Sequence, residues 1–180
     1  VKVRKEVLSM TKTLIIFYSR TGNTKELAEL IQDKVGGDII RLKTQEPRPT
    51  NYQEEVAQNQ FEQKMDVLPE IMTKIDDFDK YQNIFIGTPT WNMALPQVML
   101  SFLKEYDFSG KVILPFNTNG GYGVGNVLNQ IEANINAARM TTEFSIKGGA
   151  ENKGILFTIE GTYRNYVSTK LDEWLKQNYK

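Results

Sequence analysis

This 180-residue chain has no cysteine and no histidine. The first absence excludes disulfides and thiol nucleophiles. The second excludes Ser-His-Asp triads and the common zinc sites. Redox or group-transfer chemistry must then come from a bound cofactor, or there is none. No apolar run is long enough to span a bilayer. Neither sign of charge is in excess, with Lys+Arg 22 against Asp+Glu 22. Nucleic acid is therefore not an expected partner, because phosphate backbones select a basic face. No tight Asp/Glu cluster follows a strand, so no metal site is expected. The run Asp76-Asp77-Phe78-Asp79 reads as a solvated helix end.

The opening Val1-Lys2-Val3-Arg4-Lys5-Glu6 is basic but leads into no apolar signal core, so no secretory signal is expected. Met10 is a candidate natural start. Residues 1–11 are set aside as an extension or cloning remnant, and 12–180 are taken as one domain. A cysteine-free chain fits the cytoplasm.

With 40% hydrophobic and 24% charged residues, the composition is that of a globular protein. Apolar strands alternate with amphipathic helices, which predicts an α/β fold with a parallel sheet covered on both faces. Expected strands are 13–18, 38–42, 83–87, 111–116 and 143–146. Helices are expected over 25–35, from about Pro96 through Leu103, over 124–138 and over 163–178. In the first, Leu27, Ile31 and Val35 share a face and Gly36-Gly37 ends it. In the third, Leu128, Ile131 and Ile135 face inward. In the last, Trp174 belongs to a core stripe with Val167 and Leu171. The stretch 43–82 is long for a crossover. Within it, 52–65 has a weakly apolar helical pattern, and Pro69 is expected to start a helix over Ile71, Met72 and Ile75. Ile155 to Ile159 reads as an extra short strand, part of a split or extended fifth edge strand.

The most informative run is Leu14-Ile15-Ile16-Phe17-Tyr18-Ser19-Arg20-Thr21-Gly22-Asn23-Thr24. A buried strand empties into a short hydroxyl- and glycine-containing loop, and a helix begins at once. Free N–H groups and the positive end of the helix dipole make such a junction a phosphate cradle. Ser19, Thr21 and Thr24 add hydroxyls. The Gly-Lys-Ser/Thr ending of a P-loop is missing, and so is the three-glycine spacing of a dinucleotide fingerprint. A receiver domain would need acidic residues after this strand, and a low-molecular-weight phosphatase would need a cysteine. A cradle without a catalytic lysine suits a phosphate that is held and not transferred.

Ser-x-Thr-Gly-Asn-Thr after a first strand resembles the phosphate loop of the flavodoxin family. Two later segments share the resemblance. Gly87-Thr88-Pro89-Thr90-Trp91-Asn92-Met93 is similar to that family's Gly-x-Pro-x-Trp loop, whose aromatic residue covers the flavin ring. Asn117-Thr118-Asn119-Gly120-Gly121-Tyr122-Gly123 resembles its Thr-x-Gly-Gly loop. The resemblance implies a doubly wound five-stranded sheet of order 2-1-3-4-5 with FMN at the crevice beside strand 1. It assigns the phosphate to Ser19, Arg20, Thr21, Gly22, Asn23 and Thr24. The ring is assigned to Thr88, Pro89, Thr90, Trp91, Asn92 and Met93, and the flavin's polar edge to Thr118, Asn119, Gly120, Gly121, Tyr122 and Gly123. Arg20 either pairs with the phosphate or points outward. Tyr52 is a candidate for the second ring face. Asn92-Met93 stands where many family members have a glycine whose peptide flips toward the reduced flavin, which predicts a less stabilised half-reduced state.

Two functions follow. One is an electron carrier docking to redox partner proteins. The other is a reductase that takes hydride from NAD(P)H and passes it to a quinone or similar small acceptor, as a monomer or homodimer. Zero net charge departs from the acidity of carrier flavodoxins and leans to the second. The Trp-type loop leans to the first. Between Lys43 and Lys80 nine acids face five bases, a local acidic excess of four.

Overall fold

The computed structural model describes residues 12–180, so the expectations for residues 1–11 lie outside it. Strand β1 (Lys12–Phe17) leads into helix α1 (Asn23–Val35) and strand β2 (Asp38–Arg41). Helix α2 (Tyr52–Met65) follows, then β3 (Tyr81–Pro89), α3 (Gln97–Glu105), β4 (Val112–Asn119) and α4 (Val127–Glu132). The chain ends with β5 (Arg139–Met140), β6 (Phe144–Lys147) and α5 (Gly161–Asn178). The strands pair in parallel in the order β2-β1-β3-β4-β5, with β6 also pairing β4. This is the expected topology, with the fifth strand cut in two. β5 pairs with Val112–Ile113, and β6 with Phe116–Asn119. Between them Trp174 Nε1 donates to Thr142 O at 2.9 Å, capping the break.

Alternation along the strands builds two cores. Leu14, Ile16, Ile84 and Ile86 face α3 and α4, whereas Ile15, Phe17, Phe85 and Phe116 face α1 and α5. Each such buried side chain contributes roughly 1.5–3 kcal/mol. The sheet leaves no spare room at Gly87, which lies opposite Phe116, because a Cβ there would fall 2.1 Å from the ring.

α2 forms as its weak pattern predicted, and its buried face explains the weakness. Glu55, Asn59 and Glu62 point inward, not apolar residues. Arg48 meets them, with Nη2 donating to Glu55 and Nη1 to Glu62, each at 2.5 Å. Burial works against the Arg48 charge, but these two carboxylates outweigh it and hold its pKa above the ordinary value.

Three expectations are corrected. No helix follows Pro69. The chain stays extended because its backbone pairs with residues 43–45, Gln45 N to Glu70 O and Met72 N to Lys43 O, both 2.9 Å. That strand-like course still buries Ile71 and Ile75. The helix expected over 124–138 is only Val127–Glu132, with Val127 fully buried and Leu128 half-buried. Asn134 and Asn136 favour turns over helix, and the segment closes through i→i−3 bonds to a left-handed Ala137. The run Ile155 to Ile159 is not a strand. A single bridge joins Ala150 to Ile155, and Ile155, Leu156 and Phe157 lie exposed. Among the described residues no helix is long and apolar enough to cross a membrane, and no acidic cluster is placed to hold a metal.

Candidate functional site

Parallel pairing puts the carboxyl ends of β1, β3 and β4 on one sheet edge, and the loops that leave them converge there. The first loop turns at Gly22, whose φ of 101° is a conformation that side chains disfavour. Its carbonyl accepts from Glu26 N and starts α1. Ser19 Oγ accepts from Gly22 N at 3.2 Å. Among the described residues the N–H groups of Thr21, Asn23 and Thr24 find no protein acceptor, although Asn23 and Thr24 are buried. Buried donors of this kind are normally satisfied, so they mark a place for an anion.

The second loop is a tight turn. Trp91 and Ala94 exchange N–H···O bonds of 3.0 Å around Asn92 (φ 53°) and Met93 (φ 57°). Two consecutive left-handed residues define a type I′ turn, which suits asparagine and strains methionine. Several groups outside the turn hold it. Asn126 N donates to Met93 O at 2.8 Å, and Gln63 Nε2 donates to Trp91 O at 3.1 Å. Trp91 is half-buried, edge-on to Tyr18 with ring centroids 5.5 Å apart. Burial, and secondarily the Glu55 carboxylate, push the Tyr18 phenol up to about 12.

The third loop folds around Asn119, whose Oδ1 accepts from Gly121 N at 2.9 Å and Gly123 N at 3.3 Å. Cross-links fasten it to its neighbours. Thr24 and Thr118 hydroxyls meet at 2.8 Å, Thr90 N donates to Thr118 O, and Asn117 Nδ2 donates to Thr88 O at 2.9 Å.

These loops enclose a cavity of about 370 Å³. Every site residue expected from the sequence lines it except Gly22, Thr88 and Gly121. Gly22 and Gly121 shape their loops, and Thr88 is buried beneath with its hydroxyl donating to Pro89 O. Arg20 reaches the wall but its guanidinium is engaged elsewhere. Nε donates to Glu151 at 3.0 Å, Nη1 to Pro49 O and Nη2 to Thr50 O, both 2.9 Å. Tyr52 also lines the cavity.

One wall was not expected. Residues 148–158 form a strap along the cavity, with Gly148, Gly149, Glu151, Ile155 and Leu156 among its lining. Asn23 fastens it, Nδ2 donating to Leu156 O at 2.7 Å and Oδ1 accepting from Thr158 N at 3.0 Å. The Gly148-Gly149 pair after the edge strand was the available signal, since a Cβ on Gly149 would lie 2.3 Å from Leu156 O. Gln63, far off in sequence, carried no signal.

The comparisons agree with this geometry. The flavodoxin family model matches residues 12–154. The flavodoxin of Synechocystis is 30% identical over 118 residues, covering 63% of this chain and 55% of that protein. Flavodoxin 1 of Escherichia coli K12 is 27% identical over 111 residues, covering 59% and 49%. The chain thus spans about half the length of the curated relatives it matches. Among solved structures, a Bacteroides eggerthii flavoprotein superposes with TM-score 0.75 at 22% identity, over 93% of this chain and 98% of that one. A Lactobacillus acidophilus flavoprotein in complex with FMN gives 0.66 at 21%, over 75% and 93%. These two show the fold. The family match runs through all three converging loops and most of the chain, which therefore belongs to the flavodoxin family.

Proposed function

We propose that the cavity binds FMN without a covalent link and that the protein passes electrons through it. The observation that carries this reading is the set of N–H groups at the start of α1 that have no acceptor among the described residues, in the same cavity as Trp91. The residues fit the group at both ends. Thr21, Asn23 and Thr24 offer amides to a phosphate with no lysine to activate it. Trp91 offers an aromatic face, and the free central peptide of the Asn92-Met93 turn and the Asn119–Gly123 loop offer polar atoms for a ring edge. A volume near 370 Å³ lies in the range of small-molecule sites. FMN supplies the redox chemistry, while this chain's part is to bind, orient and desolvate. The flavodoxin relatives and the FMN-bound neighbour support the assignment, and the cysteine-free composition supports a cytoplasmic setting.

The test is titration of the flavin-free protein with FMN, read by quenching of flavin fluorescence. One FMN per chain is expected. Absence of uptake overturns the proposal.

One observation favours the reductase reading. Glu55 and Glu62 are buried against Arg48, so from Lys43 to Lys80 seven exposed acids face four exposed lysines, and seven minus four leaves three. The acidic docking face is thus weaker than its sequence. Around the cavity stand exposed Tyr52, Met93, Tyr122, Ile155 and Leu156, an apolar rim suited to a small planar acceptor. Anaerobic mixing of the FMN-loaded protein with NADH or NADPH separates the two. Rapid bleaching marks a reductase; bleaching only with a reductase partner marks a carrier.

A further inference from the structure

Beside the flavin cavity lies a second, wider cleft of about 670 Å³. β2 runs parallel to β1, so the residues after it open on the same sheet edge. Four cations line this cleft, Arg20, Arg41, Lys43 and Arg48, against one acid, Glu151. Their engagements divide them. Arg20 is paired with Glu151, and Arg48 with Glu55 and Glu62. Arg41 and Lys43 have no ion-pair partner among the described residues. Among the described residues Arg41 makes one side-chain bond, Nη2 to Ser19 O at 2.6 Å, which steadies its guanidinium beside the phosphate loop and leaves its other donors open there.

We infer that this cleft is a binding site for a phosphorylated nucleotide, its phosphate between Arg41 and Lys43. A guanidinium fork beside an ammonium is well matched to a phosphate dianion. The remaining lining supplies apolar surface for a base, with exposed Met72 and Leu156 and the rings of Pro47 and Pro49. Concavity and volume select a small molecule over a protein face. The two cavities share Ser19, Arg20, Thr21, Glu151 and Leu156. A nucleotide longer than one base and sugar, seated here, therefore extends toward the phosphate end of the flavin cavity.

The test is calorimetry on the FMN-loaded protein at low salt, with adenosine 2′,5′-bisphosphate as probe and with adenosine and inorganic phosphate as controls. Loading occupies the phosphate loop. The bisphosphate is expected to bind, adenosine to give no heat, and added salt to weaken binding. Lys43→Gln and Arg41→Gln should each raise the dissociation constant roughly tenfold. Among the described residues the Lys43 side chain makes no hydrogen bond or ion pair, so its variant separates lost binding from a disturbed fold. No heat with the bisphosphate, or both variants binding it as tightly as the parent protein, overturns the inference. Inorganic phosphate binding as tightly as the bisphosphate overturns its nucleotide part. FMN content is read by visible absorbance, so failure of flavin binding and failure of nucleotide binding are seen separately.

Discussion

Replacing Arg48 by methionine tests how α2 is held. The Arg48 side chain is 11% exposed, and those of its partners Glu55 and Glu62 are 3% and 7% exposed. Among the described residues Glu62 Oε2 and Asn59 Oδ1 are already buried without a partner, so acceptors outnumber their donors here even with Arg48 in place. Arg20 Nη1 stands 4.0 Å from Glu55, too far to take over. Removing one member of a buried ion pair costs about 3–5 kcal/mol, because the remaining charge is stranded in a poor dielectric. That is a large part of a stability of about 5–15 kcal/mol. With a urea slope of roughly 2 kcal/mol/M, the midpoint should fall by about 2 M. Adding Glu55→Gln and Glu62→Gln to Arg48→Met should return most of the loss, since the stranded charges are then gone. FMN affinity should fall with the single change, because α2 carries Gln63, which grips the Trp91 turn. Urea unfolding followed by far-ultraviolet dichroism, alongside FMN titration, measures both. A single variant losing under about 1 kcal/mol would show that the carboxylates hydrate at no cost, and the account of α2 would fail.

Three further outcomes are expected. Trp91→Ala should raise the FMN dissociation constant about tenfold through lost stacking, measured by fluorescence titration; unchanged affinity would remove Trp91 from the site. Gly87→Ala should destabilise by about 1–3 kcal/mol in the same urea assay, since its Cβ would meet the buried Phe116 ring. Tyr18, held neutral by burial up to about 12 against an ordinary 10.0, binds its proton more tightly folded than unfolded. Its contribution is intact below pH 10 and drains away as pH rises from 10 toward 12, by roughly 2–3 kcal/mol in all. Tyr18→Phe should lose less stability than the parent across that window, and an identical alkaline profile for the two would contradict this.

The parts legible in sequence were those where one residue type answers one local need. The glycine-containing loop after the first strand marked the start of α1, and strand alternation marked both faces of the sheet. What escaped was set by partners outside the segment concerned. The helical pattern of α2 does not signal that Glu55 and Glu62 go inward, because their partner, Arg48, stands outside the helix in the preceding loop. The strap is fixed by Asn23, more than a hundred residues away. Arg20, which the sequence leaves between a phosphate and the outside, is engaged by Glu151, about as distant along the chain. The extended course after Pro69 depends on pairing with residues 43–45, a contact that local propensity does not contain.

The cut fifth strand has a consequence for life in concentrated solution. A chain with as many positive as negative charges has little long-range repulsion to keep its copies apart. Its protection is in the rims of the sheet, where β2 and β6 offer four residues each and β5 only two. Templates so short give a neighbouring copy too few backbone partners for open-ended growth, so dispersal here rests on interruption of the ladder and not on charge.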